Sequence, residues 1–171
     1  QYKLAPETIN LPAKPGVPEL QIFSIQLKTS ELNLDVLRCI DGAVQFPIIF
    51  ELSFDGRTQV IAAYKRAVLS GGESGASRWV LSDYFATAWF PSDIERAAMP
   101  LALDLGGLYE QALHRLIPTP ARPQESLADL VARVELVAAK QREVEKAASR
   151  LAKEKQFNRK VEINAQLRNL K

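Results

Sequence analysis

The chain has 171 residues and a mass of 19.0 kDa, with 47% apolar and 25% charged residues, a balance that describes a folded domain with its own core and excludes pervasive disorder. Its longest apolar runs stop far short of the about 18 residues that a membrane span needs, so no membrane insertion is expected. One cysteine, Cys39, and one histidine, His114, exclude an intrachain disulfide framework and a multi-cysteine zinc site, and make a reducing cytoplasm the expected setting.

The net charge of +2 hides an asymmetry. Residues 1 to 139 carry 12 Lys+Arg against 16 Asp+Glu, a net of −4, whereas residues 140 to 171 carry 10 against 4, a net of +6. The basic end is therefore a separate electrostatic object. The chain opens at Gln1 with neither a methionine nor a basic-then-apolar signal stretch, so a processed or truncated start is expected, with an N-terminal part lacking.

Four of the ten prolines fall between Pro6 and Pro18, which predicts an extended, loop-like entry. Residues Leu20 to Lys28 alternate as a strand does. From Glu31 to Ile40 the apolar residues Leu34, Val36, Leu37 and Ile40 recur at helical spacing, with Ser30 or Asn33 as candidate caps and Gly42 just past the end. Phe46 to Ser53 and Thr58 to Lys65 are rich in β-formers and flank Asp55-Gly56, the dipeptide that tolerates the positive φ of a tight hairpin turn. Ser70 to Gly75 reads as a surface loop, and Trp79 to Phe90 as a mostly buried third strand of the antiparallel set. The order is β-α-β-β-β.

An amphipathic helix is then predicted from Leu105, Leu108, Tyr109, Ala112, Leu113 and Leu116, ending before Pro118. The stiff linker 118–123 separates the sheet domain, 1–117, from residues 124–171, which contain no glycine or proline and predict a long basic C-terminal helix. Leu127, Leu130, Val134, Val137, Val144 and Leu151 follow a 3-and-4 spacing suited to a coiled-coil seam or docking face. On the other side Arg142, Lys146, Arg150, Lys153, Lys160, Arg168 and Lys171 fall within about 40° of one line, with Phe157 as the aromatic among them. The seam weakens at Lys155 and resumes out of phase with Ile163, Leu167 and Leu170, which predicts a bend near 155 to 160.

Several segments, namely Tyr2 to Thr8, Leu37 to Asp41, Phe46 to Glu51, Tyr64 to Arg66 and above all Glu154 to Glu162 (EKQFNRKVE), resemble the bacterial domain-of-unknown-function family DUF4391 from end to end. The resemblance implies a neighbourhood rather than a chemistry. Members of that family are commonly encoded beside helicases and DNA methyltransferases of restriction-modification or phage-defence systems, and begin some dozens of residues before the point that corresponds to Gln1. No catalytic residue comes with the resemblance.

A nuclease would suit such neighbours, and Glu31, Glu51 or Asp55, and Lys65 could be drafted for a metal site. Ala63-Tyr64-Lys65, however, has alanine where the second metal ligand should stand. The Gly/Ser loop at 70 to 77 lacks the Gly-Lys-Ser/Thr of a phosphate-binding loop. His114 reads as a surface histidine, Cys39 as a small buried one, and Trp79, Tyr84, Phe85, Trp89 and Phe90 as core rather than as a base-stacking platform. Lys65, Arg66 and Arg78 make only a small basic cluster.

The basic stripe is the informative feature, because cations along one line without compensating acids repel one another until a polyanion or an acidic surface meets them. The expectation is thus an α+β fold, a mainly antiparallel sheet with packed helices and a long C-terminal helix. Its expected function is that of a non-catalytic accessory or adaptor of a DNA-defence or restriction-modification-like system. Arg142, Lys146, Arg150, Lys153, Phe157, Lys160 and Arg168 are the expected binding residues for a partner protein, such as a helicase or methyltransferase, or for nucleic acid. The alternatives are a divergent or inactivated metal-dependent nuclease and a plain homodimerisation module built on the seam. No cofactor, metal or catalytic residue is expected.

Overall fold

A computed structural model describes residues 1–69 and 77–170. They form two compact units, Gln1–Ala121 and Arg122–Lys171. Among the described residues the first unit contains one sheet of six strands: β1 (Tyr2–Leu4), β2 (Leu20–Gln26), β3 (Ile48–Phe54), β4 (Arg57–Leu69), β5 (Ser77–Ala86) and β6 (Phe90–Pro91). Its helices are α1 (Pro6–Ile9), α2 (Leu34–Ala43) and α3 (Leu105–Leu116). The strands lie in chain order from β1 to β5, with β6 paired to β4. All pairs are antiparallel except β2 with β3, which are parallel because α2 carries the chain back between them. This is the expected α+β architecture.

Asn33 caps α2 by accepting from the Asp35 N–H at 2.9 Å, and Asp104 caps α3 by accepting from Gly107 at 2.7 Å. Alternation sends Phe50 and Leu52 of β3 and Ile61 of β4 to the face that α2 covers, where they bury with Leu37 and Ile48. Phe23, Ile25, Tyr84 and Trp89 pack around that cluster. Tyr64, of opposite parity, lies on the other face, with its ring 6.4 Å from that of Tyr109 on α3. The hairpin turn falls at Asp55-Gly56, with φ of 46° and 68°.

Several sequence expectations need correction. The stretch from Pro6 to Pro18 is not wholly loop, since α1 forms at its start, and ahead of it β1, which the sequence did not signal, adds an edge strand by pairing Tyr2 with Ile22. The helix expected from Glu31 to Ile40 starts at Leu34 and runs through Gly42 to Ala43, because Lys65 of β4 donates to carbonyls at its end. The third strand of the antiparallel set is two pieces, because β5 ends at Ala86, where the Thr87 hydroxyl accepts from the Val60 N–H at 3.0 Å. Cys39 is exposed rather than buried: Leu37 and Asp41 occupy the inner side of α2, which turns Arg38 and Cys39 outward. His114 is exposed, as expected, and Phe85 is buried. The Ser70 to Gly75 loop lies outside the described residues.

Candidate functional site

The second unit holds α4 (Leu127–Lys153) and α5 (Phe157–Leu170). The entry to α4 is locked by ion pairing and capping. Ser126 accepts from the Asp129 N–H at 3.2 Å, and Glu125 takes both forks of the Arg133 guanidinium at 2.7 Å together with the Arg122 N–H at 2.8 Å. Those donors, the Arg133 fork foremost, hold the Glu125 carboxyl down at about 2.

Downstream, Arg142, Lys146, Arg150 and Lys153 are all exposed, on one side of α4 and over about 16 Å of its length. Glu143 and Glu145 fall outside their line, and Lys140 is held by Glu143 at 2.8 Å. Seam residues Leu127 and Leu130 are buried, Val134, Val144 and Leu151 are half-buried, and Val137 is 50% exposed beside the exposed Leu136. Burial therefore follows both ends of the seam and leaves its middle open.

The single helix expected over 124–171 is in fact two, which is the main correction at this site. The bend expected near 155 to 160 is a full break at Glu154–Gln156. Glu154 adopts an extended backbone and closes α4 through its own N–H to the Arg150 carbonyl at 3.0 Å. Its carboxylate then accepts from the Lys155 and Gln156 N–H groups at 2.8 and 2.9 Å, and the Gln156 carbonyl begins α5 by accepting from Lys160. These backbone donors, that of Gln156 foremost, lower the Glu154 carboxyl below its usual range.

Beyond this elbow α5 turns back, so that Arg159, Glu162, Ile163 and Gln166 line a cleft of about 410 Å³ with Arg150, Lys153 and Glu154. At about 100° per residue, Phe157 and Arg168 fall on the opposite side of α5 from those four, and Lys160 falls at their flank. The break thus divides the stripe. Arg150 and Lys153 look into the cleft, whereas Arg168 and the 77% exposed Phe157 face away from it and Lys160 stands to one side, outside the lining. Arg159, which sequence spacing passed over, takes their place at the elbow. Lys171 lies outside the described residues.

In the sheet unit the polar centre is Lys65, which is 2% exposed. Its ammonium donates to the carbonyls of Asp41 and Val44 at the C-terminal end of α2, and lies 3.8 Å from the Asp41 carboxylate and 5.7 Å from the centre of the Trp79 ring. A cation there satisfies orphan carbonyls and the negative end of the helix dipole, so α2 needs no terminal glycine and runs through Gly42. Tyr84 donates to Asp41 at 2.5 Å. Burial pushes the Asp41 carboxyl up and the Lys65 ammonium down, each opposed by the charge of the other.

Beyond Ala62 no β3 residue pairs with β4, so the Ala63 carbonyl and the Lys65 N–H on that side need another partner. The Tyr109 hydroxyl supplies both bonds, donating at 2.7 Å and accepting at 2.9 Å. On the other side β5 carries one extra residue between the Ala63 and Lys65 pairings, and the Ser82 hydroxyl accepts from Tyr64 at 2.8 Å. Every polar atom of this centre is engaged in holding the fold.

The residues drafted for a nuclease do not converge. Glu51 is paired with Val60, five residues before Lys65 on β4, so the two side chains point to opposite faces. Glu51 accepts from Ser24 at 3.1 Å and from Arg96 at 3.2 Å, Asp55 is exposed in the hairpin turn, and Glu31 is exposed ahead of α2. Among the described residues no three His, Cys, Asp or Glu side chains are grouped to hold a metal ion. Nor is any helix of theirs long and apolar enough to cross a membrane.

The first unit and the basic helical unit together define an α+β protein with a cationic α-helical appendage. The model of the domain of unknown function DUF4391 matches residues 1–171, and the chain belongs to that family. No curated protein matches, and no solved structure does.

Proposed function

We propose that this chain is a non-catalytic adaptor of a bacterial, cytoplasmic DNA-defence or restriction-modification-like assembly. In this reading the sheet unit is a scaffold and the C-terminal helices bind the partner, whether nucleic acid or a helicase or methyltransferase of the same system. The observation that carries it is the line of exposed cations Lys146, Arg150 and Lys153 on α4, with no acid on that line. Like charges held about 5 to 6 Å apart along a helix repel one another, and a polyanionic or acidic surface relieves that repulsion. The setting is the one that the family resemblance implies, with helicase and methyltransferase genes as the expected neighbours.

The test is co-purification of the tagged chain expressed together with the genes that flank it. A helicase, a methyltransferase or nucleic acid is expected to remain with the wild type and to be lost with Lys146→Glu/Arg150→Glu, while reversal of Lys28 on the sheet unit changes nothing. Full retention of the same partner by the double reversal refutes the reading.

A further inference from the structure

On α4 the four exposed cations run toward the elbow, and the last two, Arg150 and Lys153, line the cleft that Arg159 faces from α5. The line of charge therefore ends in a pocket with three cations. Its lining is polar apart from Ile163 among the described residues, whereas a protein partner would need buried apolar or aromatic anchors there. Two of the three cations are arginines, whose planar fork matches the oxygens of a phosphate.

We propose that a nucleic-acid backbone lies along α4 and turns in at the elbow, where Arg159 joins Arg150 and Lys153 in holding a phosphate. This rests on the adaptor reading above and names its ligand. Contacts of this kind are with the backbone, so the binding has little sequence preference. Of the two acids in the cleft, Glu154 is committed to the N–H groups of Lys155 and Gln156, whereas Glu162 opposes the phosphate. Arg168, on the far side of α5, takes no part.

Fluorescence anisotropy of the intact chain with a labelled single strand of about 16 nucleotides, and with its duplex, tests this between about 50 and 200 mM salt. Binding is expected to weaken steeply with salt. Arg159→Glu should weaken it roughly tenfold, as loss of a charge-assisted phosphate contact does, and should flatten the salt dependence. Arg168→Glu should have a much smaller effect, and Glu162→Gln should tighten binding about twofold. Equal effects of Arg159→Glu and Arg168→Glu overturn the elbow site. If Arg142→Glu/Lys146→Glu, which leaves the elbow residues intact, weakens binding in that case, the adaptor reading survives the loss of the elbow. Failure of both strand forms to bind the wild type at about 50 mM salt overturns the nucleic-acid proposal, and the adaptor reading is then decided by partner retention alone.

Discussion

Replacing Lys65 by methionine keeps the aliphatic stem and removes the ammonium from a site where Asp41 and Lys65 are each 2% exposed. The carbonyls of Asp41 and Val44 lose their donor, and the Asp41 carboxylate is left with the Tyr84 hydroxyl and no opposite charge. Removing one member of a buried ion pair costs about 3–5 kcal/mol. The carboxylate can escape by taking up a proton, which at about pH 7 costs about 4 kcal/mol, three units above its unfolded value at about 1.4 kcal/mol per unit. The two figures agree, so the loss is expected to be about 4 kcal/mol near neutral pH.

The sign of the pH dependence follows from the same proton. A carboxyl whose folded pKa is raised destabilises the fold above its unfolded value, so the deficit of Lys65→Met should shrink by up to about 1.4 kcal/mol per unit from about pH 7 to about pH 5. Adding Asp41→Asn removes the ionisable group, and the double variant should recover about half the loss, the remainder being the uncapped end of α2. Urea unfolding read by tryptophan fluorescence is suitable, because Trp79 faces Lys65 and Trp89 packs on the core. A loss below about 1 kcal/mol at neutral pH, or one that stays constant toward pH 5, would refute the assignment of Lys65 as the buried cap of α2.

Tyr109→Phe keeps the ring and orphans the Ala63 carbonyl and Lys65 N–H, which should cost about 1–3 kcal/mol by the same unfolding assay. The Glu125 carboxyl should titrate at about 2 by carbon-13 NMR, and Arg133→Met should return it toward the ordinary 4.5. Because that pKa is lowered on folding, the stabilisation is complete above the unfolded value and is lost as pH falls from about 4.5 to about 2, so the start of α4 should fray over that window. Plasmid and single-stranded DNA should stay intact with the chain in Mg²⁺ or Mn²⁺, since Glu51 and Lys65 point to opposite faces of the sheet. Cleavage that disappears in Lys65→Ala would show this placement to be wrong.

Local pattern was enough for the elements that organise themselves. β-former content and turn chemistry predict the strands around Asp55-Gly56, and apolar spacing predicts α3 and, with Asn33 as a candidate cap, the middle of α2, because each of those signals acts within a few residues. The concentration of positive charge after residue 139 is likewise a property of sequence alone. β1 is different: three residues carry no periodicity, and Tyr2–Leu4 becomes a strand because Leu20 to Ile22 offers an edge.

The candidate sites depended on tertiary structure to a greater degree. Lys65 reads as one of a small basic cluster at the end of a hairpin, and Asp41 lies just past the helix expected to end at Ile40. Only the packing of α2 across β4 brings the ammonium beneath the last carbonyls of that helix, where a charge can be buried because its partners are fixed. The elbow lies in a stretch without glycine or proline, so propensity favours one helix and one stripe, and the phase shift of the seam signals only a bend near 155 to 160. The chain breaks because the Glu154 carboxylate takes the next two N–H groups away from the helical ladder, and α5 then turns back along the end of α4. That reversal replaces Lys160 by Arg159 beside Arg150 and Lys153. Sequence determined how much positive charge the C-terminal helices carry, and three-dimensional structure decided which cations face the same space, since a helical phase counted along the chain is lost at the first residue that leaves the helix.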